Sequence, residues 1–248
     1  MGILHSLLLI LAGLLGSLAQ EDLQRKVFLF AEPTDTAHVI LKAKLERPLT
    51  SVTVCLRLST DISRGQTLFS YATDTNANDI VIDRLSRSQY RLYIGGDAVK
   101  LNVVERATPM PGWEHICLAW ESTRGVVQFW LDGNPMPRKA VKQGYAVAPQ
   151  ASIILGQDQD SMGSGFDFMQ SFVGEMTEVY MWDRVLSPQE MCLVWDKRIP
   201  PNSVINWRFL TYEMKGNVIL VPILSTVCRA ECGCPLQGMP CCGRRATL

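Results

Sequence analysis

The stretch SVTVCLRLS at residues 51–59 decides the fold class, because its apolar side chains return at every second residue. Val52, Val54, Leu56 and Leu58 fall on one face of an extended chain, since successive side chains of a strand point to opposite sides. Such alternation is typical of a β-strand that covers a hydrophobic core with one face. The sequence therefore predicts a strand here.

Further short runs, rich in β-branched and aromatic residues, surround this strand along the chain. They are residues 26–30, 38–45, 67–73, 79–84, 90–95, 99–104, 115–121, 126–131, 151–156 and 172–183. Turn-forming pairs such as Gly95-Gly96 and Asp132-Gly133 separate several of them. Short strands at this spacing predict an all-β domain of two packed sheets, a sandwich or jelly roll.

One helix is expected among these strands. The segment SPQE at residues 187–190 has the capping-box pattern, in which the side chains of Ser187 and Glu190 accept from each other's amides and proline takes the first helical position. An apolar stripe follows over residues 191–195. We therefore expect a short helix docked on a sheet face, ending before the segment IPP at 199–201.

The composition is that of a folded protein without the charge pattern of a nucleic-acid binder. Hydrophobic residues make up 47% of the 248, and 24 basic side chains balance 24 acidic ones. Enough apolar surface is available to offset the loss of chain entropy on folding. Because nucleic-acid binding needs a basic field, the zero net charge argues against a nucleic-acid partner.

The N-terminus has the features of a secretory signal peptide. Residues 3–18 are almost entirely apolar, the first charged residue is Glu21, and Ser17-Leu18-Ala19 has small residues at the spacing that a signal peptidase reads. The apolar run is shorter than the ~20 residues that span a bilayer, so we expect no transmembrane segment. We predict a signal peptide at 1–19, a secreted domain at 20–224 and a cysteine-rich tail at 225–248.

Secretion determines how the eight cysteines are interpreted, because thiols pair in an oxidising compartment. Cys55 and Cys117 lie inside apolar, β-branched runs. The other six come late in the chain: Cys192, Cys228, Cys232, Cys234, Cys241 and Cys242. A zinc cluster is disfavoured, since the tail has no histidine and secretion favours disulfides. The pairing of the late cysteines stays open, both within one chain and between chains.

A run of oxygen-bearing side chains after the strand at 151–156 is the candidate metal site. Asp158, Asp160, Asp167 and Gln170 offer the hard oxygens that calcium prefers, and in an extended stretch the first two project to the same side. A solvated acidic loop is the alternative interpretation. The sequence has no nucleophile elbow, phosphate loop or dinucleotide fingerprint, and we expect no enzymatic activity.

The segment HICLAWES at residues 115–122 resembles the short pentraxin signature His-x-Cys-x-Ser/Thr-Trp-x-Ser/Thr, with Ala119 in place of a hydroxyl residue. Similar segments extend over nearly the whole chain between the signal peptide and the tail. They are KVF at 26–28, LFSY at 68–71, FWLDG at 129–133, ILGQ at 154–157, QSFVGE at 170–175, MWD at 181–183 and NW at 206–207.

This resemblance to the short pentraxin family implies a lectin-like jelly roll of two β-sheets with one short helix on a face. It implies a cyclic, usually pentameric homo-oligomer and a disulfide between Cys55 and Cys117. It also implies Ca²⁺ as the cofactor, with two ions close together on one face that hold anionic or carbohydrate ligands such as phosphocholine or phosphoethanolamine. Complement and Fc receptors are further implied partners.

This chain has most, but not all, of the residues that match the calcium ligands of the family. The matching positions are Asn78, Asp158, Gln159, Asp160, Asp167 and Gln170. Ala77 replaces an acidic residue of the family motif, so the first calcium site lacks a carboxylate. Because calcium affinity follows the charge and number of ligands, we expect the first site to be weakened and the second to persist. Asn76 and Asp79 are the candidates to replace the lost carboxylate, but strand alternation turns Asp79 away from the side of Asn78.

The ligand pocket beside the calcium sites is predicted from Val81, Asp83 and Tyr93. A cationic headgroup binds best over an aromatic face or against a carboxylate, and Tyr93 and Asp83 together offer both. Elsewhere, Asp132 and Trp195 align with positions that the family uses in complement recognition. We prefer to explain Asp132-Gly133 as a hairpin turn.

The leading hypothesis is a secreted, calcium-dependent protein of innate immunity that recognises phosphate-ester or carbohydrate headgroups at many sites at once. The alternative is a disulfide-linked adhesion or structural oligomer with weakened calcium binding, motivated by Ala77 and the tail cysteines. A glycoside hydrolase on the same architecture would need two carboxylates flanking a sugar. Asp158 and Asp160 could be taken for such a pair, but no general-acid environment is apparent.

Overall fold

The computed structural model describes residues 22–103 and 112–224, so the predicted signal peptide at 1–19 and the tail at 225–248 lie outside it. Two antiparallel sheets form a sandwich. Within the described residues, the first sheet has nine strands: β1 (Lys26–Phe30), β3 (Ser51–Ser59), β8 (Glu114–Glu121), β9 (Val126–Leu131), β10 (Asn134–Pro135), β11 (Lys139–Ala140), β13 (Gly174–Trp182), β14 (Ile205–Asn206) and β16 (Val218–Pro222). The second has seven: β2 (His38–Leu41), β4 (Gln66–Ala72), β5 (Ile80–Ser86), β6 (Gln89–Ile94), β7 (Asp97–Asn102), β12 (Ser152–Leu155) and β15 (Tyr212–Lys215).

The order of the strands differs from their order in the sequence. The first sheet runs β10-β9-β8-β3-β13-β1-β16, with β11 paired to β9 and β14 paired to β13. The second runs β15-β2-β12-β4-β5-β6-β7. The all-β sandwich, with one α-helix and a 3-10 turn at Trp207–Phe209 among the described residues, confirms the predicted fold class.

Strand bounds agree with the sequence prediction where a strand carries its own pattern, and β1, β3 and β9 match exactly. The prediction was wrong at the start of β13. The amide of Phe172 donates to the Gly156 carbonyl at 2.9 Å and that of Val173 donates to Gln66 Oε1 at 2.9 Å, so both close a loop instead of joining the ladder. β2 also ends four residues earlier than expected, at Leu41.

Apolar side chains from both sheets meet between the layers. The ring of Tyr90 on β6 packs against Phe129 on β9 with centroids 5.1 Å apart. One ion pair lies in this interior, where Arg84 Nη2 donates to Glu114 Oε1 at 2.9 Å and the arginine side chain is 2% exposed. Burial of such a pair is tolerated because each charge is compensated by the other.

Helix α1 (Pro188–Trp195) lies on the outer face of the first sheet, and the capping box at its start is present as predicted. Arg57 on β3 donates from Nη2 to the Trp195 carbonyl at 2.7 Å, and the main chain leading to the helix bonds Thr53 Oγ1. The helix explains why β3 is buried on both faces. No helix in the described part of the chain is long and apolar enough to cross a membrane.

The disulfide between Cys55 and Cys117 is confirmed, and it joins directly opposed residues of β3 and β8. The thiol of Cys192, on α1, is exposed and unpaired among the described residues. The other five late cysteines lie outside the described residues, so their pairing stays a prediction.

Candidate functional site

The loop between β12 and β13 folds back over the outer face of the second sheet. Gln159 Nε2 donates to the carbonyls of Ser70 and Ser152 at 3.2 and 3.1 Å, and the Thr67 amide donates to the Gln170 carbonyl at 2.8 Å. Both ends of the loop are thereby fastened to β4. Since α1 packs on the other sheet, the helix and this loop occupy opposite faces of the sandwich.

Gln159 holds the loop in place. Its side chain is fully buried, and Oε1 accepts from the amide of Gly163 at 2.8 Å. Both ends of the side-chain amide are therefore engaged by the protein. The main-chain carbonyl is the oxygen that Gln159 has left to offer a metal ion.

Asp158 and Gln170 are brought together by the fold. Asp158 is buried, its Oδ1 accepts from the Gln159 amide at 3.0 Å, and its Oδ2 accepts from Gln170 Nε2 at 3.4 Å. Burial, reinforced by the nearby negative charge of Asp83, raises the pKa of the Asp158 carboxyl to about 6. A cation bound at Asp158 would favour the ionised form that burial disfavours.

Asp160 and Asp167 lie on exposed parts of the same loop. Gly165 has φ +80°, and a Cβ added there would lie 2.7 Å from the Cβ of Asp160, so this glycine lets the loop fold tightly around Asp160. Asp167 Oδ1 accepts from the Met169 amide at 2.8 Å. Within the described residues, the carboxylates of Asp158, Asp160 and Asp167 do not all lie within 4.8 Å of one another.

Asn78 presents an oxygen that lacks a partner. Its Oδ1 atom is buried and accepts no hydrogen bond from the described residues. Such an atom costs about 1–3 kcal/mol if left unsatisfied, and a hard cation would satisfy it. The loop of Asn78 leaves the end of β4 at Ala72, which pairs with Ser152, the residue whose carbonyl Gln159 bonds. The two candidate ligand segments therefore meet at one end of the sheet.

Asp79 does not replace the carboxylate missing at Ala77. Its Oδ1 accepts from the Tyr145 hydroxyl at 2.7 Å and its Oδ2 accepts from Thr73 Oγ1 at 3.0 Å. Both oxygens are therefore committed to the fold, as the alternation of the strand predicts. The donor set present fits calcium, with fewer carboxylates at the first position than at the second.

The predicted pocket residues lie on the hairpin of β5 and β6, where Val81 pairs with Tyr93 and Asp83 pairs with Arg91. Val81 is fully buried. Asp83 accepts from Thr67 Oγ1 at 2.8 Å and from Arg91 Nη2 at 2.6 Å. Sequence reasoning missed Arg91. Counting the register back from the turn at Arg87-Ser88 places Leu92 opposite Asp83, and the irregularity between Arg84 and Ser86 shifts the pairing by one residue to Arg91.

The helix-bearing face holds the remaining candidates. Asp132 and Gly133 have φ values of +49° and +76° between β9 and β10, which is the geometry of a two-residue hairpin turn. Asp132 Oδ1 also accepts from the His115 amide at 2.9 Å. His115 is buried near Trp195, with centroids 5.4 Å apart, and burial lowers the pKa of its imidazole to about 3. It therefore stays neutral near pH 7.

Fold and site together define a two-sheet β-sandwich with a helix on one face and an oxygen-rich loop on the other. The chain belongs to the Pentaxin family, whose model matches residues 26–222. It is 45% identical over 208 residues to serum amyloid P-component of Bos taurus, covering 83% of this chain and 91% of the relative. It is 43% identical over 217 residues to C-reactive protein of Sus scrofa, covering 88% and 96%.

A solved structure agrees with the fold. The native heptameric SAP-like pentraxin from Limulus polyphemus superposes with a TM-score of 0.74 at 21% identity, covering 82% of this chain and 97% of that one.

Proposed function

We propose that this pentraxin is a secreted, non-enzymatic pattern-recognition protein that captures phosphate-ester or carbohydrate headgroups through calcium. The main support for this proposal is the buried Oδ1 atom of Asn78, which has no partner among the described residues. It lies at the same end of the second sheet as the oxygen-rich loop. A buried acceptor without a donor is rare in folded proteins, and it points to a cation.

The residues that would hold calcium are Asn78 through Oδ1, Gln159 through its carbonyl, and the side chains of Asp158, Asp160, Asp167 and Gln170. Calcium, when bound, presents positive charge to an anionic group of the ligand. Because Ala77 removes one carboxylate, the three acids leave two calcium ions with excess positive charge, and the first site is the weaker. Of the predicted pocket residues, Tyr93 and the pair of Asp83 with Arg91 border the ligand, whereas Val81 is fully buried.

Oligomerisation would convert weak single sites into tight attachment to a surface. Identical sites on one face of a cyclic homo-oligomer, a pentamer in our proposal, gain avidity without any new contact. The resemblance to the short pentraxin family motivates this assembly, and it also motivates complement and Fc receptors as partners.

Calcium titration tests the proposal. We expect the melting temperature of the full chain to rise in millimolar calcium and return to its starting value with chelator, because a ligand that binds only the native state stabilises it. Asp160→Asn should lose most of this rise. Asp196→Asn, a matched change at the exposed end of α1 on the opposite face, should keep it. No rise at millimolar calcium, in a correctly folded protein, would overturn the proposal.

A second candidate is a disulfide-linked adhesion or structural oligomer with weakened calcium binding. The exposed thiol of Cys192, which has no disulfide partner within residues 22–103 and 112–224, favours it, together with the loss of a carboxylate at Ala77. Non-reducing gels of the secreted protein distinguish it. Ladders that collapse with reductant support this candidate, and a single monomer band removes its basis.

A further inference from the structure

Arg91 covers both groups that would recognise a cationic headgroup. From β6 it donates to Asp83 Oδ2 through Nε at 2.8 Å and through Nη2 at 2.6 Å. Its guanidinium carbon lies 4.7 Å from the centroid of the Tyr93 ring. The aromatic face and the carboxylate are the two features that bind quaternary ammonium groups, and this chain uses both for its own arginine.

The arrangement resists displacement by a ligand. The Asp83 side chain is 3% exposed and the Arg91 side chain is 27% exposed, so the pair is anchored by its buried acid. A cationic headgroup that moved Arg91 aside would have to compensate Asp83 itself, because a buried carboxylate without a partner is strongly unfavourable. It would also have to break two charge-assisted hydrogen bonds that Arg91 donates to Asp83 Oδ2.

Arg91 belongs to the surroundings of the candidate calcium site. A cavity of about 220 Å³ is lined by Arg64, Thr67, Asp83, Arg91 and Gln170. Gln170 is one of the proposed calcium ligands, and its carbonyl accepts from the amide of Thr67. Arg64 adds a second guanidinium, which donates to the carbonyls of Met169 and Ser171 at 3.0 and 2.7 Å. A group beside the calcium ions therefore meets two arginines.

We propose that Arg91 makes this pocket reject quaternary ammonium headgroups and select phosphate monoesters of polyols and sugars. The inference rests on the proposed calcium-dependent function. A phosphate has oxygens enough to face both calcium and a guanidinium, and hydroxyl groups accept from the N–H donors of Arg91 that Asp83 does not use. A trimethylammonium group has no oxygen to face calcium and cannot accept a hydrogen bond from Arg91. Its positive charge is also repelled by the guanidinium.

Isothermal titration of the full chain in saturating calcium tests the proposal with three phosphate monoesters. They are glycerol 3-phosphate, phosphocholine, and 3,3-dimethylbutyl phosphate, which has the shape of phosphocholine without its positive charge. We expect wild-type protein to bind the first and third at least about tenfold more tightly than phosphocholine, the effect of one like-charge contact near the surface. In Arg91→Gln the order of phosphocholine and its neutral isostere should invert, because Asp83 and Tyr93 become available.

A double variant serves as the control for folding. Where Arg91→Gln fails to fold because Asp83 is left unpaired, the double variant Arg91→Gln/Asp83→Asn removes both charges, and the wild-type preference for the neutral isostere over phosphocholine should be lost. Equal binding of the isosteres to wild-type protein, or an unchanged ratio in the folded variants, overturns this inference while calcium-dependent capture stands. Absence of binding by all three esters in calcium overturns ligand capture itself, and this inference with it.

Discussion

Restoring a carboxylate at position 77 should strengthen the first calcium site. Ala77 is half-buried in the loop after β4, directly before Asn78, whose Oδ1 is buried and unpartnered. In Ala77→Asp a carboxylate joins that oxygen. The neighbouring acid Asp79 is held by Tyr145 and Thr73 and does not compete.

The size of the effect follows from the position of the loop. Two unit charges 4 Å apart attract by about 1 kcal/mol in water and by about 4 kcal/mol at an effective dielectric constant of 20. Position 77 borders solvent, so the lower value applies, and a divalent ion doubles it to about 2 kcal/mol. That free energy corresponds to a roughly thirtyfold lower Kd at this site.

Calcium titration calorimetry measures both the affinity and the number of ions bound. We expect Ala77→Asp to bind a second ion at concentrations where the wild-type protein binds one. Ala140→Asp makes the same chemical change on an exposed strand of the first sheet and should leave the titration unchanged. A variant that keeps the wild-type affinity and stoichiometry while remaining folded would refute the assignment of Asn78 to a calcium site.

Three further predictions concern pH and stability. In calcium-free buffer the raised pKa of Asp158 contributes stability that is present below pH ~4 and is lost as the pH rises to about 6. Because calcium needs the ionised carboxylate, the calcium-induced rise in melting temperature should grow over this pH interval. A calcium-induced rise that does not depend on pH would contradict the prediction. Replacing Cys55 and Cys117 by alanine opens a crosslink across 62 residues and should lower the free energy of unfolding by about 4 kcal/mol in urea titrations at fixed protein concentration, whereas an unchanged midpoint would argue against the entropic account. Ser187→Ala removes the acceptor of the capping box and should cost about 1 kcal/mol in the same assay, with Ser187→Asp close to wild type. No loss in Ser187→Ala would mean that the cap contributes little.

The sequence predicts elements that carry their own local pattern. Alternation located β3 exactly, and the SPQE segment located the start of α1. The strands β15 and β16 were missed because they are mostly exposed and show no alternation. They flank Gly216, yet β15 joins β2 in the second sheet and β16 joins β1 in the first. The local sequence pattern of a strand does not predict which sheet the strand will join.

The sequence likewise predicts some features of the candidate site and not others. Alternation placed Asp158 and Asp160 on one side, but Asp158 is buried and Asp160 exposed, because the Gln159 side chain turns into the sheet and redirects the loop. The resemblance supplied the set of metal ligands. Neither route identified Arg91, since its role depends on the pairing of β5 with β6 and on the buried position of its partner Asp83.

The two ends of the folded domain lie side by side. Lys26 on β1 pairs with Pro222 on β16 at the edge of the first sheet, and the Ile223 amide donates to the Arg25 carbonyl at 2.8 Å. A tag or fusion partner attached just outside this paired edge leaves the domain from one place on the first sheet, whereas the oxygen-rich loop folds over the second. Tethering the protein to a sensor chip through that edge would therefore leave the proposed headgroup-binding surface facing the solution.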